Sequence, residues 1–449
     1  MSVEPADAAP SASGPLRLGS IVARLTSVNA LVMAFGLLTG PLLARSLGPS
    51  GRGAVAAVAA PLALAPYVLG IGLVTFVVRE SARGRSTGEL LGSVGLIYCV
   101  IGLIAVVLAH PAAVYFAQGR APVRVALLIG FYSMPIFLIG MLLLAIANGR
   151  QRWTMVISAR IVPAIIGLVA TVALYVLGVL NVNEAVAIVL VSNLITIVPT
   201  LAVLKEALPL KVSGSVIRES FRFGLPSWLW QISLLTNGRL DQVLMVTLTT
   251  SSQLGLYAVA VSLAGVSNVF SSALGPALLP RVTRGDTAVV ARASSITLAI
   301  SVLMNIGLVI ACPVILPLLF GASFRDAVPM AWILAAAAIP NTGTQVLTAS
   351  LLSAGRPRLV AVGELTAVGI TVGGLLFLVG PLGGVGAALV SLAAYSVTFA
   401  ILVVGAMREF RLPLRGLIVP TRSDLLAQGM LVRSLLRRIM RRHSGASAA

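Results

Sequence analysis

Arg239 and Asp241 stand two residues apart inside an apolar stretch, 228–246, that reads WLWQISLLTNGRLDQVLMV. A guanidinium can grip phosphate or carboxylate with two hydrogen bonds, and a carboxylate can bind and release a cation. Charges at membrane depth are costly, and they usually face a bundle interior or a wet cavity. Two positions along a helix send side chains to different faces, so these two are poor partners for each other. One is expected to face a cavity while the other contacts a neighbouring helix. Asn237, just upstream, could hydrogen-bond a ligand there. The competing reading is a buried ion pair that only fixes packing.

Other polar residues sit in similarly apolar surroundings. Arg160 could meet an anionic headgroup or could snorkel to the membrane surface. Arg24 and Arg45 mark the two ends of the first apolar stretch, as interfacial anchors or as the lining of a mouth. Asn29, Asn268, Asn341, Thr342, Thr344 and Gln345 could hydrogen-bond a sugar, although polar residues also glue membrane helices together. Trp228 and Trp230 fit an aromatic belt. Glu364 is the one acid besides Asp241 expected well inside a span. It is a candidate for cation coupling, against an ion pair as the plainer role.

What the chain lacks narrows the function. Its two histidines, His110 and His443, fall on opposite sides of the membrane by the topology below, and its two cysteines, Cys99 and Cys312, lie in apolar segments. No catalytic dyad, metal site or disulfide framework can be assembled from these. Neither Lys205 nor Lys211 follows a glycine, so no phosphate-binding loop exists. The expectation is a protein that is not an enzyme and has no cofactor and no bound metal.

Composition says what must position these residues. Apolar residues make up 58% of the 449, charged residues 10%, and the mean hydropathy is +1.04. That describes an all-α polytopic membrane protein. A barrel would need short alternating segments, and these apolar runs are long and unalternating. The net charge of +19 does not point to nucleic acid, because its placement follows the membrane.

Twelve spans are expected, at 17–44, 54–78, 88–109, 122–147, 154–179, 183–204, 221–249, 253–279, 292–318, 328–352, 359–379 and 383–406. Each is long enough to cross ~30 Å of hydrocarbon. Gly40-Pro41, Pro163, Pro226 and Gly373-Gly374 are the expected breaks. Most of the Lys and Arg fall on the side of the chain ends. Only Arg45, Arg52, Arg120, Arg124 and Arg325 fall opposite, so both termini are expected to be cytoplasmic.

The two halves echo each other. Ala147-Asn148-Gly149-Arg150-Gln151-Arg152 matches Ser353-Ala354-Gly355-Arg356-Pro357-Arg358, and Arg52-Gly53-Ala54-Val55 matches Leu256-Tyr257-Ala258-Val259 at nearly the same offset. Six spans per unit keeps the halves in the same orientation, a parallel repeat that places substrate between two lobes. The expected divisions are a disordered tail at 1–16, a first lobe at 17–204, a linker at 205–220, a second lobe at 221–407 and a basic tail at 408–449. From Ser423 onward, apolar positions at helical spacing alternate with arginines, which predicts an amphipathic helix on an anionic inner leaflet.

These residues resemble the polysaccharide (O-antigen type) flippases of the MATE-like MOP exporter superfamily. The likeness spans 20–407. Its pieces are Leu43-Ala44-Arg45-Ser46-Leu47-Gly48-Pro49-Ser50-Gly51-Arg52-Gly53, Phe221-Arg222-Phe223-Gly224-Leu225-Pro226, Arg239-Leu240-Asp241-Gln242, Leu254-Gly255-Leu256-Tyr257-Ala258-Val259 and Leu319-Phe320-Gly321 leading to Phe324. The resemblance implies two six-helix lobes around an alternating-access cavity in the bacterial cytoplasmic membrane. It also implies a polyprenyl-diphosphate-linked oligosaccharide as cargo, with the bilayer and other glycan-assembly proteins as partners. Two alternatives stay open. One is a cation-coupled multidrug exporter of the same superfamily, which would favour carboxylates inside spans one to six, where none lies deep. The other is a membrane glycan-assembly enzyme, which would need acids or metal ligands on outer loops that here carry only Glu184 and Asp326.

Overall fold

The computed structural model describes residues 15–265 and 287–420. Among them every regular element is helical, as a backbone in lipid requires. In chain order these are α1 (Pro15–Leu69), α2 (Leu73–Ala82), α3 (Thr87–Ala117), α4 (Ala121–Tyr132), α5 (Met134–Gly149), α6 (Trp153–Val176) and α7 (Val182–Ile195). Then follow α8 (Ala202–Ala207), α9 (Gly214–Leu248), α10 (Ser251–Ala264), α11 (Thr287–Phe320), α12 (Val328–Ser353), α13 (Pro357–Phe410) and α14 (Leu414–Ile418).

α1 and α13, at 55 and 54 residues, are too long for one crossing. Each is two spans joined at a glycine outside helical geometry, Gly48 (φ 64°) in α1 and Gly383 (φ 55°) in α13. Further breaks fall at Gly70 to Gly72, between α1 and α2, and as a 48° bend between α4 and α5. None of these is where breaks were expected. Gly40-Pro41, Pro163, Pro226 and Gly373-Gly374 all lie inside continuous helix. A proline removes one hydrogen bond, which a helix can absorb, whereas the breaks at Gly48, Gly72 and Gly383 use the positive φ that glycine supplies.

We call the end of the bundle that carries Pro15 and Phe410 the near end, and the end at Gly48 and Gly383 the far end. The core divides along this axis. One cluster at the far end takes in Val55, Leu127, Met245, Tyr257, Phe324 and Ala387, so both halves of the chain share it. Towards the near end the core splits: Phe76, Leu91 and Leu142 belong to a cluster of the first half, and Leu347, Leu351 and Leu402 to one of the second. Among the described residues the buried apolar cores are therefore shared at the far end and distinct towards the near end, where α9 bridges the halves.

Two glycines allow that far-end closure. A Cβ on Gly53 would stand 1.7 Å from the Ser251 carbonyl oxygen, and one on Gly255 would stand 2.0 Å from that of Pro49. Only glycine permits backbones this close. Arg45 ties the same ends together, its Nε donating to the Leu319 carbonyl at 2.9 Å and its Nη2 to that of Leu318. Those carbonyls end α11 and have no partner within the helix. Arg120 likewise bonds Ser251 across the halves.

The two turns matched in the sequence are built alike, in a register two residues away from the sequence match. The turn after α5 bonds the Arg152 amide to the Ala147 carbonyl and the Gln151 amide to that of Asn148. The turn after α12 repeats both bonds, Arg356 to Leu351 and Gly355 to Leu352, as in a Schellman stop. Arg152 then pairs with Glu206 at 2.5 Å and Arg356 with Glu409 at 2.7 Å.

α9 begins at Gly214, so residues 214–220, expected in a linker, are helical. The reason is packing: Val216 and Ser220, one turn apart, are both buried, and Glu219 pairs with Arg85 at 2.6 Å. Nearby, Arg79 lies 4.6 Å over the Phe223 ring, and Trp228 Nε1 donates to the Val68 carbonyl, left open by the break after α1. Near its start, then, α9 grips the first half, and its far part packs on α13 of the second. Of the tails expected at 1–16 and 408–449, residues 15–16 open α1 and 408–420 hold the end of α13 and α14, where Phe410 and Leu417 are buried, whereas 1–14 and 421–449, with the amphipathic helix after Ser423, lie outside the described residues.

Candidate substrate-binding site

α9 presents its two charges differently. Asp241 is buried, 7% exposed. Its Oδ2 accepts the Tyr257 hydroxyl proton at 2.5 Å and its Oδ1 accepts the Gln242 amide at 2.7 Å. The Tyr257 oxygen lies 3.1 Å from Ser391 Oγ, which links α10 to α13. Asp241 is thus held inside the second half by a hydrogen-bond network spanning three elements.

Arg239 is exposed. Its charge acts on Asp241 and, across the halves, on Arg52. Two guanidinium groups from opposite halves therefore share one locality. Arg52 is only partly exposed, and its Nε is buried with no hydrogen-bond partner among the described residues. A like-charged pair with an unmet donor is an arrangement that an anion would satisfy. Arg52 was counted in the sequence as an outer charge. Its place at the start of a helix gave no sign that α9 would bring Arg239 to it.

One turn beyond Arg239 on the same face of α9 stands Val243. It reaches a pocket of about 260 Å³ whose lining is wholly apolar and includes Pro61, Leu69, Ala105, Phe116 and Phe131. A cationic locality and a greasy groove therefore adjoin along one helix. The Asn237 side chain lies outside the described residues, as do Asn268 and the side chain of Trp230.

A second polar locality lies inside the first half. Arg160 Nη1 donates to Asn29 Oδ1 at 2.6 Å, joining α6 to α1. Arg160 also lines a pocket of about 380 Å³ with Thr39, Thr171, Ser192, Asn193 and Thr196. Arg24 is exposed near the start of α1. Arg45, by contrast, is engaged by the α11 carbonyls and works as a strut between the halves.

In the second half Glu364 is buried at 2% exposed. Tyr395 lies within charge-interaction range of both Glu364 and Asp241. Gln345 and Asn341 are half-buried on α12, each already in a contact of its own. The described residues contain no cluster of His, Cys, Asp and Glu suited to a metal ion.

The sequence profile described as "Polysaccharide biosynthesis protein" matches residues 20–286, more than half the chain. The chain belongs to that family. No curated protein matches the sequence. Among solved structures, the chain is similar to "Lipid II flippase MurJ, inward closed conformation", with a TM-score of 0.71 at 14% identity over 86% of this chain and 89% of that one. An inward-facing multidrug resistance MATE transporter of the MOP superfamily gives a TM-score of 0.69 at 14% identity, covering 87% and 98%. The MATE multidrug transporter DinF-BH gives 0.62 at 17%, covering 89% and 97%. At these identities the likeness concerns the fold. This member of the polysaccharide biosynthesis family is a multi-pass membrane protein with the fold of MOP-superfamily transporters.

Proposed function

We propose that the chain carries a polyprenyl-diphosphate-linked oligosaccharide across the bacterial cytoplasmic membrane, by alternating exposure of the space between its halves. The observation that carries this reading is the charge interaction of Arg52 with Arg239, with the buried Arg52 Nε lacking an acceptor among the described residues. A diphosphate offers several charged oxygens, and arginine forks match them bidentately. The apolar groove beside Val243 suits the lipid part of the same molecule. The two halves share their apolar core at the far end and have distinct cores towards the near end, so in this reading loading occurs at the near end and release follows once the far-end contacts part.

The competing reading, export of cationic drugs, needs acidic groups facing the substrate. The acids deep in the second half, Asp241 and Glu364, are buried inside that half, where they could serve ion coupling. Binding of polyprenyl diphosphate to the purified chain tests the choice. We expect pyrophosphate to compete, a cationic dye not to compete, and loss of either Arg52 or Arg239 to weaken binding. Competition by the dye with no effect of pyrophosphate would favour the drug exporter.

A further inference from the structure

At the far end of the second half, a pocket of about 630 Å³ opens between the α9–α10 turn and the break in α13. Thr247, Thr249, Thr250 and Gln253 line it from one side, and Gly380 and Pro381 from the other. Among the described residues that line it none is charged, and it shares no lining residue with the groove beside Val243.

The break at Gly383 gives the pocket much of its polarity. Gly383 leaves helical geometry (φ 55°), so the Gly384 amide no longer reaches back one turn to Gly380. It donates instead to Gln253 Oε1 at 3.0 Å. The Gly380 carbonyl thereby loses the donor that an unbroken helix would give it. A backbone amide can only donate, so the atom it meets must be the glutamine oxygen. Gln253 Nε2, with two N–H groups, is then left without a hydrogen bond among the described residues. The threonines add one group of each kind. Thr250 Oγ1 accepts the Gln253 amide at 3.3 Å, which leaves its proton to give. Thr247 Oγ1 spends its proton on the Leu244 carbonyl at 3.0 Å, which leaves lone pairs.

An uncharged wall that both gives and takes hydrogen bonds selects among ligands. An anion would meet open carbonyls with no cation to offset them, and a dehydrated cation would want a carboxylate. A lipid tail would leave the polar groups unmet. Each hydroxyl of a sugar donates and accepts, and a pyranose ring has C–H faces that can lie on Pro381 and Leu382. The space is also many times the ~30 Å³ share of a single water molecule. Its place fits the chemistry. Thr250 runs directly into Ser251, whose carbonyl meets Gly53 of the first half at the far-end closure.

We propose that this far-end pocket binds a neutral sugar unit of the carried glycan, beside the contacts that must part for release. That the sugar belongs to the cargo rests on the transport reading; that the pocket takes a neutral sugar does not. Saturation-transfer NMR on the full chain in lipid nanodiscs tests it. The probes are the methyl glycosides of glucose, galactose, mannose and N-acetylglucosamine, with methyl glucuronide as the charged control. At least one neutral glycoside should take up saturation several-fold more strongly than the glucuronide. Gln253→Glu keeps an oxygen for the Gly384 amide but removes both N–H donors, and Gly380→Leu adds bulk where a Cβ meets nothing within 4 Å. Each should cut the signal several-fold. No saturation of any neutral glycoside, a glucuronide signal as strong as theirs, or a signal undiminished in the folded variants would overturn the proposal. Pyrophosphate should not displace the glycosides; displacement would put the sugar in the transport site and overturn this one. Binding of polyprenyl diphosphate, read separately through Arg52 and Arg239, can fail while the glycoside signal stands, so the two readings fall independently.

Discussion

Tyr257 donates its hydroxyl proton to Asp241 across 2.5 Å, and both residues are buried where α9, α10 and α13 meet. The bond holds the far part of α9 to the second half, while salt bridges and stacking hold its near part to the first. Tyr257→Phe keeps the ring and leaves a buried carboxylate oxygen short of its donor, at a cost of about 1–3 kcal/mol. We expect a lower unfolding temperature in detergent, and a smaller drop for Asp241→Asn, which retains an acceptor. An unchanged melting curve for Tyr257→Phe would remove this bond from the account.

Far-end closure depends on Gly53 and Gly255. Gly255→Ala places a methyl group where the Pro49 carbonyl now stands, so the halves must part there. In a background with Cys99 and Cys312 replaced, a thiol at Val55, now 2% exposed, should react several-fold faster with a soluble maleimide once Gly255 is alanine. Equal rates would mean that the close approach does not hold the far end shut.

The near-end turn after α5 carries a pH dependence. The hydrogen bond from Arg152, with burial opposing it and the charges of Arg152 and Arg150 adding to it, holds the Glu206 carboxyl below its usual range. A depressed folded pKa gives stability that is present above the unfolded value of about 4.3 and is lost as pH falls through the folded value. The pair is largely exposed, so the effect should be small and should fade with salt. Thermal unfolding from neutral to acid pH checks it: Glu206→Gln should flatten the acid limb at low salt. An identical acid limb in the variant would contradict the assignment.

Much of the fold was legible because lipid leaves the backbone few choices. Long apolar runs became helices, and the turns after α5 and α12 are built alike, although their hydrogen bonds make Arg152 the counterpart of Arg356, two residues away from the register matched in the sequence. The breaks were less legible. Proline and paired glycines look disruptive in a sequence, but Gly48, Gly72 and Gly383 bend the chain because tertiary packing selects their positive φ. The start of α9 was also hidden, since 214–220 is polar and its helix is stabilised by partners far away in sequence, Arg85 among them.

The site was legible only in part. That Arg239 and Asp241 would point apart followed from helical geometry, and α9 does bury one and expose the other. Arg52 escaped notice because its meaning lies in a charge interaction between residues far apart in sequence. Tyr257 escaped too, since a tyrosine among Leu254, Leu256 and Val259 reads as core until its hydroxyl is found on a carboxylate.

Transbilayer movement of a fluorescent polyprenyl-diphosphate saccharide in vesicles containing the purified chain tests the central claim most directly. Arg239→Ala should slow it by about 10- to 100-fold, the worth of a lost charge-assisted hydrogen bond, and Arg239→Lys should restore part of the rate. Movement at the unmodified rate with alanine at 239, in protein that remains folded, would contradict the claim.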